Sequence, residues 1–165
     1  MAEAFNELTL PAAKAVRYAA LADEVAAVLE GERNFTARLA TVAAMLAQAF
    51  DHYFWAGFYL VDPAKADELV IGPYQGTLGC LRIAFARGVC GVAAAEHRTI
   101  IVPDVEAFPG HIACDSRSRS EIVVPVFGPG GALIGVFDVD STELGAFDAA
   151  DAAGIERILA ETFGR

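Results

Sequence analysis

The chain is 165 residues long, 55% hydrophobic and 21% charged, with a formal net charge of −10. This length suits one core rather than two, and the hydrophobic share is too high for a disordered chain. The acidic balance would repel a phosphate backbone, which disfavours nucleic-acid binding, and no apolar run reaches the ~18 residues of a membrane span.

The first ten residues, MAEAFNELTL, show no basic stretch followed by an apolar one, so a secretion signal is not expected and this segment reads as a polar arm. A helix follows over residues 14–30, with Val25, Val28 and Leu29 on its apolar side and Gly31 as a stop. Asn34 can cap a second helix, in which Phe35, Leu39, Val42, Leu46 and Phe50 recur at helical spacing. Residues 54–61 are aromatic and β-branched and predict a strand; residues 68–71, 81–85 and 99–102 predict three more, with a short helix over 91–97. Residues 103–120 are rich in Pro, Gly, Asp and Ser and read as a long loop. Residues 121–127 and 132–139 form a predicted hairpin across Gly128-Pro129-Gly130-Gly131, and residues 148–163 a closing helix with Ile155, Ile158, Leu159 and Thr162 on one side. That order predicts an α+β domain, an antiparallel sheet with helices packed on it.

Three cysteines without an export signal point to a reducing compartment, and their odd count forbids complete internal pairing. Cys114 lies on the long loop, where a thiol is better placed to react than in a helix core. Cys80 and Cys90 flank the third predicted strand. Asp115, beside Cys114, argues mildly against easy thiolate formation. The cysteine spacings of ten and twenty-four residues do not match zinc motifs, although His111 and Cys114 have the spacing of a possible ligand pair. The alternative for all three is burial as small structural hydrophobes.

In Phe137-Asp138-Val139-Asp140 the two acids stand two residues apart, so an extended backbone points both to one face, with Ile134 and Val136 expected on that face too. Glu121 opens the neighbouring strand and can lie near them. Solvated turn carboxylates are the plainer explanation for Asp140 alone; two aligned acids beside Glu121 make a polar pocket competitive. Trp55 and Tyr59 share one side of the first strand, where most aromatics are simply core.

Several strings taken together carry more. Gly88-Val89-Cys90-Gly91, Phe108-Pro109-Gly110-His111-Ile112-Ala113-Cys114-Asp115 and Ser120-Glu121-Ile122-Val123-Val124-Pro125 are followed by Ile134-Gly135-Val136-Phe137-Asp138-Val139-Asp140-Ser141 and preceded by Trp55-Ala56-Gly57-Phe58-Tyr59. This set resembles the free methionine-(R)-sulfoxide reductases, which are built on a GAF domain. The likeness runs from about Phe50 to the C-terminus, with mild departures around Gly79 and Ala84.

The resemblance implies a GAF-like antiparallel sheet of about six strands with N- and C-terminal helices packed on it. A single domain over 1–165 would have helices at about 14–50, sheet and loop at about 53–140 and a last helix at about 148–163. It implies Cys114 as nucleophile and Cys80 as resolving thiol, with Cys90 the third family cysteine and its role open. Glu121, Asp138 and Asp140 match the acidic substrate pocket and Trp55 the wall against the methyl group; Tyr59 is added because it shares that strand face. The implied reaction is thiol-dependent reduction of free L-methionine (R)-S-oxide through sulfenic acid and disulfide intermediates. Implied too are thioredoxin or a similar dithiol as reductant, a homodimer, a cytoplasmic location and no metal or organic cofactor. The reading from a different class is a GAF module that senses a small ligand without catalysis.

Overall fold

The computed structural model describes residues 11–164; the polar arm read at residues 1–10 lies outside them. In chain order the elements are α1 (Pro11–Val28), α2 (Phe35–Ala49), β1 (Trp55–Asp62), β2 (Lys65–Gln75), β3 (Arg82–Ala84), α3 (Gly88–Glu96), β4 (Ile100–Val102), β5 (Ser120–Phe127), β6 (Leu133–Ser141) and α4 (Ala149–Phe163). All paired strands are antiparallel, in the order β3-β2-β1-β6-β5-β4. The expected α+β architecture of six strands with helices at both ends is what the chain adopts.

Strand alternation divides the sheet's side chains between two cores. On one face Ala56, Phe58, Ile122, Val124, Phe137 and Val139 meet the apolar stripes of α1, α2 and α4. On the other, Trp55, Tyr59, Leu69, Val123 and Val136 meet α3 and the start of the long loop. The three larger helices therefore close one side, and the second side is covered by one short helix and irregular chain.

Local chemistry explains the element ends. The Asn34 side chain accepts from Ala37 N at 2.9 Å and starts α2. Asp148 caps α4 by accepting from Ala150 N at 2.8 Å, while the Asp151 carboxylate accepts from Asp148 N at 2.8 Å, a reciprocal capping box. Lys14 Nζ, on α1, reaches that cap and bonds Asp151 at 2.6 Å and the Ala146 carbonyl at 2.8 Å.

Four expectations are corrected. Val28 is 61% exposed, because the buried stripe Lys14, Tyr18, Leu21, Ala22, Val25 next turns inward at Leu29. Phe35 is 43% exposed, at the very start of α2. Ile134 packs on the helix side, away from Val136, because an irregularity between Val126 and Phe127 skips it and breaks the alternation. Strand β2 runs to Gln75, well past the expected Ile71; Pro73 is accommodated there because β3 pairs only with residues 68–70, leaving that edge free.

Candidate active site

Directly opposed residues of antiparallel strands present their side chains on the same face. Trp55 pairs with Asp140 and Asp140 with Glu121, so one row crosses β1, β6 and β5. In the next row Gly57 pairs with Asp138 and Asp138 with Val123, which places both aspartates on the face away from the large helices. Gly57 leaves a gap that matters. A Cβ there would lie 2.2 Å from Tyr74 Cβ and 2.9 Å from the Trp55 ring. Without it, Trp55 stacks on Tyr74 at 5.1 Å between centroids and on Tyr59 at 5.8 Å.

Helix α3 supplies the opposite wall. At Gly91 a Cβ would meet the Ala84 carbonyl at 2.3 Å, so only glycine lets the first turn of α3 lie on the end of β3. That contact holds Cys90, one residue earlier, buried against the acids.

The long loop closes the top and is tied down at several points. Val105 N donates to the Arg119 carbonyl at 3.0 Å and Arg119 N to the Ser141 carbonyl at 2.7 Å, which brings the loop's two ends together at the end of β6. Within the loop, Cys114 is disulfide-bonded to Cys80, with a Cα–Cα distance of 5.4 Å across a separation of 34 residues. Thr77 Oγ1 donates to Asp115 at 2.8 Å, the Thr77 carbonyl accepts from Trp55 Nε1 at 2.8 Å, and Arg117 lies over the Phe54 ring at 4.9 Å. His111 Nε2 sits 3.1 Å from Glu121 Oε2.

Seven of the eight candidate residues, Trp55, Tyr59, Cys90, Cys114, Glu121, Asp138 and Asp140, line one cavity, and Cys80 joins it through its bond to Cys114. With that bond formed the free space is about 30 Å³, room for about one water.

Burial sets the electrostatics. It raises the Glu121 carboxyl well above the ordinary range, with Asp140 adding repulsion, and does the same to Asp138, where Asp140 and Glu121 add theirs. Asp140 is raised less, to about 6, because the Ser118 hydroxyl and His111 offset part of the burial effect. Burial and then Asp138 push the Cys90 thiol up, so it is held as S–H. His111 is held down by burial and stays neutral near pH 7. Such a set offers protonated carboxyls and one readily ionised carboxylate in the same cavity.

The GAF domain family model matches residues 32–162. The free methionine-R-sulfoxide reductase of Escherichia coli is 43% identical over 87% of this chain and 85% of its own. The chain belongs to the GAF-type free methionine-R-sulfoxide reductase family. The Saccharomyces cerevisiae reductase of that name is 38% identical over 78% of this chain and 74% of its own. Among solved structures, the Neisseria meningitidis free methionine-R-sulfoxide reductase in complex with its substrate is similar at TM-score 0.84 and 49% identity, covering 91% of this chain and 90% of that one.

In this GAF chain the His111–Cys114 pair considered for zinc is not assembled: the Cys114 sulfur is bound to Cys80 and His111 faces Glu121. The Asp115 carboxylate beside Cys114 is paired. Arg117, its own backbone N–H and Thr77 hold that carboxylate well below its usual range, so its charge is already matched by a cation. Sequence reasoning missed His111 as a partner of Glu121, Ser118 as a partner of Asp140 and Thr77 as an anchor. Their loop positions were visible. Their partners come from strands and turns up to 38 residues away, reached through backbone with no periodicity to read.

Proposed function

We propose that the chain reduces free L-methionine (R)-S-oxide to L-methionine, with Cys114 as nucleophile and Cys80 as resolving thiol. The carrying observation is the Cys80–Cys114 pairing over a cavity walled by three buried acids and Trp55, in a chain whose relatives bear that enzyme's name. A sensing module has no need of a cystine facing buried acids.

The chemistry follows from those groups. The Cys114 sulfur attacks the sulfoxide sulfur while Glu121 or Asp138, kept neutral by burial, protonates the oxygen. The oxygen passes to Cys114, giving a sulfenic acid, and methionine is released. The Cys80 thiol then condenses with the sulfenic acid, expelling water and forming the disulfide. A dithiol donor reduces that disulfide by exchange and is itself oxidised; thioredoxin is the proposed donor. Asp140, ionised above pH of about 6, holds the substrate's α-ammonium. Trp55, flanked by Tyr59, packs on the S-methyl group. Cys90 is a buried reserve thiol rather than the first attacker, since burial keeps it protonated.

The cavity of the disulfide form is too small for the amino acid, so loop opening accompanies reduction. The same loop, once closed on substrate, would exclude a peptide chain. We further propose that residues 1–165 form one domain, and that the protein works as a cytoplasmic homodimer.

The test is turnover of methionine R-sulfoxide with a dithiol donor. Wild type should consume it and Cys114→Ser should lose nearly all activity; undiminished turnover in Cys114→Ser would move the nucleophile to another thiol. Equal rates on free and peptide-bound sulfoxide would remove the loop's role in selectivity.

A further inference from the structure

The cavity holds a donor set beyond what proton transfer needs. A sulfur of Cys90 and one carboxylate oxygen each of Glu121 and Asp138 lie within 4.8 Å of one another, all three residues buried. Asp138 is 6% exposed, and its Oδ1 lies buried in the cavity wall without a hydrogen-bond partner. Once the acids lose their protons, that unpartnered oxygen is costly to bury, and a cation is the occupant that satisfies it best. Among the described residues, no Lys or Arg ion-pairs with Glu121, Asp138 or Asp140; the one basic group against them is His111, 3.1 Å from Glu121.

We propose that Cys90, Glu121 and Asp138 form a binding site for a thiophilic divalent ion, Zn²⁺ above all, which inhibits the enzyme. The donor chemistry selects the ion. Calcium and magnesium take oxygen ligands, whereas one thiolate with two carboxylates suits zinc. Ligand atoms on a tetrahedral zinc stand roughly 3.5 Å apart, a spacing compatible with the 4.8 Å within which these three already lie. The hydrogen bond between His111 and Glu121 supplies the outer support that ligating carboxylates commonly have. Three protein donors leave a fourth position facing the cavity, whose free space of about 30 Å³ accepts a water and not an amino acid. Binding displaces the protons held by the thiol and the acids, so it strengthens as pH rises. Inhibition rests on the reductase reading above, because the ion would occupy the carboxyls that the sulfoxide requires; binding does not.

The experiment therefore reads binding without turnover. The disulfide form of the full chain, in which Cys80 and Cys114 are unavailable as thiolates, is titrated with Co²⁺ as a spectroscopic stand-in. One equivalent should bind with a thiolate-to-cobalt charge-transfer band and the visible bands of a four-coordinate ion, both displaced by Zn²⁺. Cys90→Ser should abolish the charge-transfer band, and Asp138→Asn should weaken the affinity by about tenfold or more. Zn²⁺ should also raise the melting temperature of the wild-type disulfide form. Absence of binding in that form, or cobalt bound without a sulfur band, overturns the site and leaves the sulfoxide turnover assay untouched. Should either variant fail to fold, the wild-type sulfur band alone decides.

Discussion

The missing side chain at Gly57 decides where Trp55 can lie. Tyr74 Cβ and the Trp55 ring both approach the space a methyl group would fill, at 2.2 and 2.9 Å. Gly57→Ala should therefore displace the Trp55–Tyr74 stack and destabilise the protein by about 1–3 kcal/mol, as overpacking does. Because Trp55 forms the proposed methyl wall, KM for the sulfoxide should rise more than kcat falls. Chemical denaturation and steady-state kinetics check the two halves; wild-type KM in the variant would detach Trp55 from the substrate. A strand of this pattern announces its alternation from sequence, yet nothing within it says that its glycine faces a tyrosine from β2. Only the pairing of Gly57 with Tyr74 does that.

At the scale of elements, the contact between α1 and α4 carries a buried polar network far from the cavity. Lys14, 2% exposed, bonds Asp151, which is fully buried and also accepts from the Tyr18 hydroxyl at 2.9 Å. The Tyr18 and Tyr53 hydroxyls bond each other, and His52 stands 3.9 Å from Asp151, kept neutral by burial and by Lys14. Removing one partner of a buried ion pair strands the other charge. Lys14→Met should therefore cost about 3–5 kcal/mol, against about 1 kcal/mol for loss of the α4 cap in Asp148→Ala. Urea unfolding of the two variants tests the ranking, which equal losses would refute. The helix over residues 14–30 was legible from its spacing; the lysine at the head of its stripe was not, because its partner lies 137 residues further on.

For the whole molecule, the acid cluster links stability to pH. Glu121, Asp138 and Asp140 all bind protons more tightly folded than unfolded, chiefly through burial. Their contribution is complete below the ordinary carboxyl range and is lost as pH rises through about 6, the folded value of Asp140, and further as the other two ionise. His52 acts in the opposite sense: its folded value is lowered, so its contribution is present above its ordinary value and lost on acidification. Asp138→Asn keeps the shape and removes one buried ionisable group, and with it the cost of holding that proton in the fold at high pH. Its melting temperature should exceed that of wild type at pH 8, with a smaller gap at pH 5, while turnover is lost; a gap that does not widen with pH would contradict this account. Catalysis should follow a bell, rising through pH of about 6 as Asp140 ionises and falling where the proton donor ionises.

By itself, the sequence determined the element order, the α+β class, the cap at Asn34 and the family, because these depend on local periodicity, hydrogen-bonding side chains and short strings. It also placed Asp138 and Asp140 on one face, since strand alternation needs no partner. Tertiary structure alone decided that Ile134 leaves that face, that His111 meets Glu121, and that all three acids are buried together with raised pKa values. Each of these depends on strand register, on the path of an aperiodic loop or on exclusion of water. Those properties arise only when distant segments pack together.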